Sequence, residues 1–448
     1  MKTIPFDIPS NWTWTTMGEI ADVVGGGTPR TNDPENYEGG TIPWITPADL
    51  SGYTAKYISH GERFITKSGL ACSSAKMMPS GTVLFSSRAP VGYVAIAANP
   101  VCTNQGFKSF ALKTKDILPD YLYWWLKGSK ELAESIASGT TFLEMSGAKA
   151  KQLPIPIAPS EEQQLIVAEI EKQFSRLDEA VTNLKRVKAN LKRYKAAVLK
   201  AAVEGKLAPT AGSWKQVTLG DVTTSIRNGY SKKPDAEQGT RIFRISAVRP
   251  MKLDANDVRY LSGTPADYEP FLVEPGDVLF TRYNGNRDYV GVCARVPANM
   301  PPTVYPDKLI RVRVPRLMML PEFLVILAST GRAREYIESK IRTTAGQSGI
   351  SGGDLKLLPL DIPRVAEQQQ IVAEVERRLS VIDELAASVE ANFTRADRLR
   401  QSILSQAFSG RLLGQDTRHI PDTPPTFSIA AESQASYGRT TLPGGEPR

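Results

Sequence analysis

Apolar residues recur at steps of four and three through Ile166, Ile170, Phe174, Leu177, Val181, Leu184, Val187, Leu191, Tyr194 and Val198. A stripe that narrow is of coiled-coil type and predicts one long helix with a helical partner. The pattern returns at Ile371, Val375, Leu379, Ile382, Ala386, Val389, Phe393, Ala396, Leu399 and Ile403. Each stripe carries a 3–3 step near its middle, a local irregularity of the stammer kind. Pro154, Pro156 and Pro159 cannot continue a helix, and Ser160 followed by Gln163 fits a capping box. Val365 stands where Ser160 would, so the second helix needs a different start. Gly205 and Gly410 mark the two C-terminal ends. A helix of about 45 residues would be roughly 65 Å long. The most economical partner for each stripe is the other, and packing on the flanking globular segments is the weaker alternative.

The two helices are copies. "LPIPIAPSEEQQLIVAEIE" (153–171) lies without a gap over "LPLDIPRVAEQQQIVAEVE" (358–376), and "GKL" (205–207) over "GRL" (410–412). Glu162 and Glu367 stand 205 residues apart, as do Gly205 and Gly410. Weaker echoes precede each copy. "WTWTTMGEI" (12–20) resembles "WKQVTLGDV" (214–222), "PSGTVLFSSR" (79–88) resembles "EPGDVLFTRY" (274–283), and "LPDYL" (118–122) resembles "LPEFL" (320–324). The chain is therefore an internal repeat of order A–B–A′–B′.

The A segments are rich in Gly, Pro, Thr and β-branched residues, with strand-like runs "TVLFS", "GYVAIA", "RIFRIS" and "LIRVRV". A helix-like stretch closes each, "DYLYWWLKGSKELAESI" and "PEFLVILASTGRAREYIES". The expected fold class is α/β, with two α/β domains joined by two long helices packed as a coiled coil. The sequence divides into a domain at 1–152, a helix segment at 153–210, a domain at 211–357 and a helix segment at 358–414. Residues 415–448 form a Pro-, Thr-, Ser- and Gly-rich tail expected to be disordered.

Composition narrows the function. At 448 residues the chain exceeds one core. Its formal charge of +8 mildly favours a polyanionic partner. Cys72, Cys102 and Cys293 are scattered and odd in number, which argues for a reducing compartment. With no apolar leader and no run long enough to span a bilayer, a cytoplasmic location is expected. Two histidines, His60 and His419, and three isolated cysteines offer no zinc spacing and a poor inventory for catalysis. "GGGTPR" (25–30) lacks the lysine of a phosphate-binding loop and reads as a strand-to-loop turn. "PD" at 306–307 with "ESK" at 338–340 mimics a nuclease pattern, but Glu338 and Lys340 fall in a helix-like stretch where that chemistry places a strand. No catalytic, cofactor-binding or metal-ligating residue is expected in this chain.

Polar loops in the A segments suit nucleic acid better. Arg reads guanine, Asn or Gln reads adenine, and Lys suits phosphates. Candidates in the first segment are Thr28, Arg30, Thr46, Ser86, Ser87, Arg88, Asn104, Gln105 and Lys108. In the second they are Arg227, Asn228, Tyr230, Ser231, Lys232, Lys233, Arg244, Ser246, Arg249, Thr281, Arg282, Tyr283, Asn284, Asn286 and Lys308. Singly, each loop reads equally well as a solvated turn; their clustering in both segments tilts the balance. Residues 184–207 hold eight Lys or Arg against one Glu, a solvated helix face that could also attract DNA without regard to sequence.

The A–B–A′–B′ order, the Pro-rich lead-ins, the repeated E-Q-Q-x-I-V-A-E-[IV]-E starts and the G-[KR]-L ends together resemble the specificity subunit of a type I restriction–modification enzyme. The likeness spans nearly the whole chain, to about residue 414. It implies that each A segment is a target recognition domain for one half of a split, asymmetric double-stranded DNA site, and that the B helices are an antiparallel spacer. It also implies two methylation subunits that bind S-adenosylmethionine, and two motor–nuclease subunits that use ATP and Mg. A different class, a coiled-coil adaptor whose globular domains bind protein, would show no sequence-selective DNA binding.

Overall fold

The computed structural model describes residues 6–88, 90–139, 143–208, 213–344 and 346–414; the tail at 415–448 lies outside them. The two stripes form single helices of 44 residues, Ser160–Val203 and Val365–Phe408. The chain forms two compact units, one of residues up to 183 and from 393, the other of residues 184–392. Each unit takes one globular segment and one part of each long helix.

In the first unit a five-stranded sheet runs in the order Ala21–Gly25, Lys108–Leu112, Val83–Ser87, Val91–Ala97, Tyr57–Ile58. A three-stranded sheet runs Arg63–Ile65, Ile42–Ile45, Cys102–Thr103, its last pair parallel. The second unit repeats this plan. Its four-stranded sheet runs Ser225–Asn228, Leu309–Arg313, Val278–Thr281, Cys293–Arg295, and its three-stranded sheet runs Val258–Leu261, Thr240–Phe243, Thr303–Val304, again with a parallel last pair. The helix-like stretches become helix pairs, Pro119–Gly128 with Lys130–Ile136 and Pro321–Ser329 with Gly331–Lys340. In both, a Pro at the first turn supplies its preset φ where no donor is needed.

Within the first unit, Ile166 and Ile170 share a core with Tyr121, Leu122 and Trp125 and with Leu404, Ala407 and Phe408 of the second long helix. Further along, Arg400 pairs with Asp178 and covers the Phe174 ring at 5.3 Å. The partner number falls as the first helix advances, so the helix halves run antiparallel. Within the second unit, Lys188 meets Glu390 at 2.5 Å, and Val198, Leu199 and Ala202 share a core with Ile371, Val372 and Val375. That pairing is antiparallel too. Each stripe therefore packs on both a helix and a globular segment, rather than on the helix alone. A two-helix pair also leaves flanks in water: Val187, Tyr194 and Leu399 are 43%, 48% and 41% exposed.

The repeated "EQQ" turns out to be a staple. Gln163 is buried; its Oε1 accepts from Leu118 N at 3.0 Å, and its Nε2 donates to Asp116 O at 3.0 Å and Ala158 O at 2.8 Å. Gln368 repeats the set, accepting from Leu320 N at 2.8 Å and donating to Met318 O and Pro363 O, each at 3.0 Å. Beside them, Trp12 Nε1 donates to Glu162 at 2.9 Å and Trp214 Nε1 to Glu367 at 3.0 Å. The capping-box reading of Gln163 is corrected accordingly. Its amide faces inward, to carbonyls and an N–H that would otherwise lose their hydrogen bonds on burial. The Pro-rich lead-ins are strands, Pro154–Ile157 against Thr13–Thr16 and Pro359–Ile362 against Lys215–Thr218. Each pairs on one side only, which suits proline.

Candidate nucleic-acid interface

Four backbone joints build one end of each globular segment. In the first unit Gly27 N donates to Thr103 O at 2.9 Å, Ser87 N to Gly106 O at 2.7 Å and Met145 N to Ser87 O at 2.9 Å. In the second, Tyr230 N donates to Tyr305 O at 2.8 Å, Arg282 N to Lys308 O at 2.8 Å and Ile350 N to Arg282 O at 2.9 Å. The fourth joint is a close backbone approach. A Cβ on Gly26 would lie 1.9 Å from Asn104 O, and one on Gly229 2.2 Å from Tyr305 O, so glycine is obligatory at both. The same frame gathers the loops at 26–30, 86–88 and 103–108 in one unit and those at 227–233, 281–284 and 305–308 in the other.

On this frame the candidates divide. Thr28, Arg30 and Gln105 are exposed, as are Arg227, Asn228, Ser231, Lys232, Lys233, Asn286 and Lys308. Arg227 stacks over Phe271 at 4.8 Å, and Arg282 over Tyr283 at 4.6 Å while its Nη1 donates to Asp307 O at 3.3 Å. Half-buried Tyr230 stands edge-on to Tyr268 at 5.2 Å and Phe271 at 5.4 Å. Arg88 lies 3.6 Å from Glu144. The half-buried Lys108 ammonium is held below its usual pKa, first by burial, with Glu144 raising it and Arg88 lowering it further.

Three expectations are corrected. Ser86, Ser87 and Thr281 are fully buried, because they end the central strands of their sheets. Ser86 Oγ donates to Pro90 O at 2.8 Å and Ser87 Oγ to Gly106 O at 3.1 Å, so both hold the loop instead of facing solvent. Other candidates shape turns. Thr46 Oγ1 bonds Asp49 at 2.7 Å, Asn104 Oδ1 accepts from Gly106 N at 2.9 Å, Asn284 Oδ1 from Asn286 N at 2.9 Å, and Asn286 Oδ1 from Asp288 N at 2.9 Å. Arg244, Ser246 and Arg249 lie on a separate stretch: Arg244 pairs with Asp257 at 3.5 Å, Ser246 is half-buried in a 3-10 turn, and Arg249 covers Tyr289 at 5.0 Å.

The structure adds a hairpin that sequence reading missed. Arg342–Thr344 pairs with Gln347–Gly349 through a turn at Gly346, φ +76°, and Gly349 in turn pairs with Tyr283. In the first unit Ser138 and Glu144 exchange backbone bonds of 3.0 and 2.9 Å at the matching place. Exposed Arg342 and Gln347 thereby join the face. The signal was present in "TTAGQS", two β-branched residues, a glycine turn and a polar return.

Among the described residues no three His, Cys, Asp or Glu side chains gather as a metal site. Burial pushes the Cys102 and Cys293 thiols up to about 12. Glu338 and Lys340 lie in the helix Gly331–Lys340. No described helix is long and apolar enough to cross a membrane.

The fold thus defines a class: an internally repeated protein whose two α/β segments, each built on the same polar frame, share a pair of long helices. A family described as "Type I restriction modification DNA specificity domain" matches residues 9–193. The specificity subunit of the type I restriction enzyme EcoKI from Escherichia coli is 30% identical over 431 residues, 93% of this chain and 92% of that one. That of MjaIX from Methanocaldococcus jannaschii is 42% identical over 181 residues, 40% of each chain. Among solved structures, a chain from work on assembly and conformational transition of the type I R-M system aligns over 91% of this chain and 100% of its own, with a TM-score of 0.72 at 20% identity. The HsdS subunit of Thermoanaerobacter tengcongensis gives 0.57 over 92% of this chain and 100% of its own, also at 20% identity. The chain belongs to the type I restriction enzyme specificity subunits.

Proposed function

We propose that this chain gives a type I restriction–modification complex its sequence specificity, reading a bipartite, asymmetric DNA site with one half-site per globular segment. The observation that carries the proposal is the duplicated frame with unlike contents. Where the first unit presents Gly27, Thr28 and Gln105, the second presents Tyr230, Ser231 and Asp307. One docking geometry with two reading sets yields two different half-sites. Exposed Arg227, Lys232, Lys233 and Lys308 supply phosphate attraction, and exposed Arg and Gln side chains supply base contacts.

The paired helices act as the spacer that fixes the gap between half-sites. Each helix of 44 residues is about 66 Å long at 1.5 Å per residue, against about 34 Å for a duplex turn. In this reading two methylation subunits dock on the helices and, with S-adenosylmethionine, flip and methylate an adenine in each half-site. Two restriction subunits supply ATP- and Mg-dependent translocation and cleavage. The site of action is cytoplasmic DNA. Exchanging residues 211–357 for the matching segment of another member should change one half-site of the methylated sequence and leave the other intact. A change in both would overturn the modular reading, and absence of sequence-selective binding by the complex would favour a protein-binding adaptor.

A further inference from the structure

A polar cleft of about 660 Å³ opens beside the frame of the first unit, between Gly26–Thr28, Ala71–Ser74 and Gln105. We infer that Gln105, held by Thr28 at this cleft, is the side chain with which the first unit reads the edge of an adenine. This rests on the DNA-reading function proposed above and assigns one residue to one task within it.

The turn that carries Gln105 is fixed on three sides. Asn104 N donates to Ile45 O at 2.9 Å, Gly106 N to Asn104 Oδ1 at 2.9 Å, and Ser87 N to Gly106 O at 2.7 Å. Gln105 is left exposed at its apex. The Thr28 hydroxyl donates to Gln105 Oε1 and so fixes the amide. A carbonyl oxygen has two lone pairs, so Oε1 can still accept once while Nε2 offers two donors. One free acceptor beside a free donor is the pattern that matches adenine N6 and N7 in the major groove.

The cleft itself is suited to a base edge rather than a phosphate. Its lining holds hydroxyls, a thiol, an amide and backbone but no ionised side chain. Phosphate sites draw chiefly on Lys and Arg. Ser73 and Ser74, which sequence reading passed over, form its far wall. The floor is closed, because a Cβ on Gly27 would come within 2.3 Å of Ala75 N. At the equivalent joint of the second unit stands Tyr230, packed edge-on against Tyr268 and Phe271. The two frames therefore cannot read alike at this position.

The test uses the full chain assembled with its methylation subunits and a panel of duplexes carrying each single base-pair change in the site. Gln105→Ala should cut discrimination by about 10-fold or more at one A·T pair, in the half-site assigned to the first unit. Thr28→Val should relax the same pair less, and Thr28→Ser should restore it, since the hydroxyl alone is needed. Because Gln105 is exposed, its loss should leave the unfolding midpoint unchanged. An equal loss of affinity for every duplex would make Gln105 a phosphate contact and overturn the proposal. So would unchanged discrimination, or a change in the other half-site. If the wild-type complex itself shows no half-site preference, the failure lies in the proposed function and not in the choice of Gln105.

Discussion

Replacing Gln163 by glutamate keeps size and shape but removes both amide donors, and the buried site makes the cost calculable. Gln163 is 1% exposed and bonds Leu118 N, Asp116 O and Ala158 O. An ionised carboxylate there would accept from Leu118 N but face two carbonyl oxygens. The group would instead take up a proton, which at pH 7, from an ordinary value near 4.3, costs about 3.7 kcal/mol. The protonated acid has one O–H for two carbonyls, so one further hydrogen bond of about 1–1.5 kcal/mol is lost. The expected destabilisation is about 5 kcal/mol at pH 7, a large part of a typical folding free energy of 5–15 kcal/mol. Here the folded pKa is raised above the unfolded one. The folded state then binds more protons, and the variant should regain about 1.4 kcal/mol per unit as pH falls from 7 toward 5. Urea denaturation of the whole chain followed by tryptophan fluorescence reads this well, since Trp12, Trp14, Trp44, Trp124 and Trp125 all report the first unit and Trp214 alone the second. A loss under about 0.5 kcal/mol with no pH dependence would refute the staple.

The two obligatory glycines give a parallel test: Gly26→Ala or Gly229→Ala should each cost about 1–3 kcal/mol by overpacking against a carbonyl, read as a lower unfolding midpoint of the affected unit. Replacing Lys232 and Lys233 by alanine should reduce the salt dependence of DNA binding by about one unit of slope each, with base preferences unchanged. Arg377 and Arg378 hold the Glu374 carboxyl down to about 2. Its folded value lies below its unfolded one, so this contribution is present above about 4.5 and is lost as pH falls toward 2. With Arg377 60% exposed, water screens the pair and the contribution is about 1 kcal/mol or less. Glu374→Gln should flatten that segment of the acid-unfolding curve.

The long helices and the duplication were legible because both are periodic: stripes at steps of three and four, and an offset of 205 residues. What escaped was whatever depends on contacts distant in sequence. "EQQ" reads locally as a helix start, and only Leu118 and Asp116, more than forty residues away, turn Gln163 into a staple. Ser86, Ser87 and Thr281 look like loop polar groups, yet each ends a strand buried on both faces, where alternation disappears. Nor does a continuous helix announce that its halves belong to different compact units. Within the candidate face, Arg30, Arg227, Lys232, Lys233 and Lys308 were candidates from sequence and lie exposed. The hairpin at 342–349 and the Ser73–Ser74 wall needed the fold to bring them alongside.

The most direct measurement is a genome-wide map of methylated adenines in cells that hold the methylation subunit, with and without this chain. The account predicts a bipartite, asymmetric motif with a fixed gap that appears only when the chain is present. Methylation at the same positions without it, or a single continuous motif with it, would contradict the account.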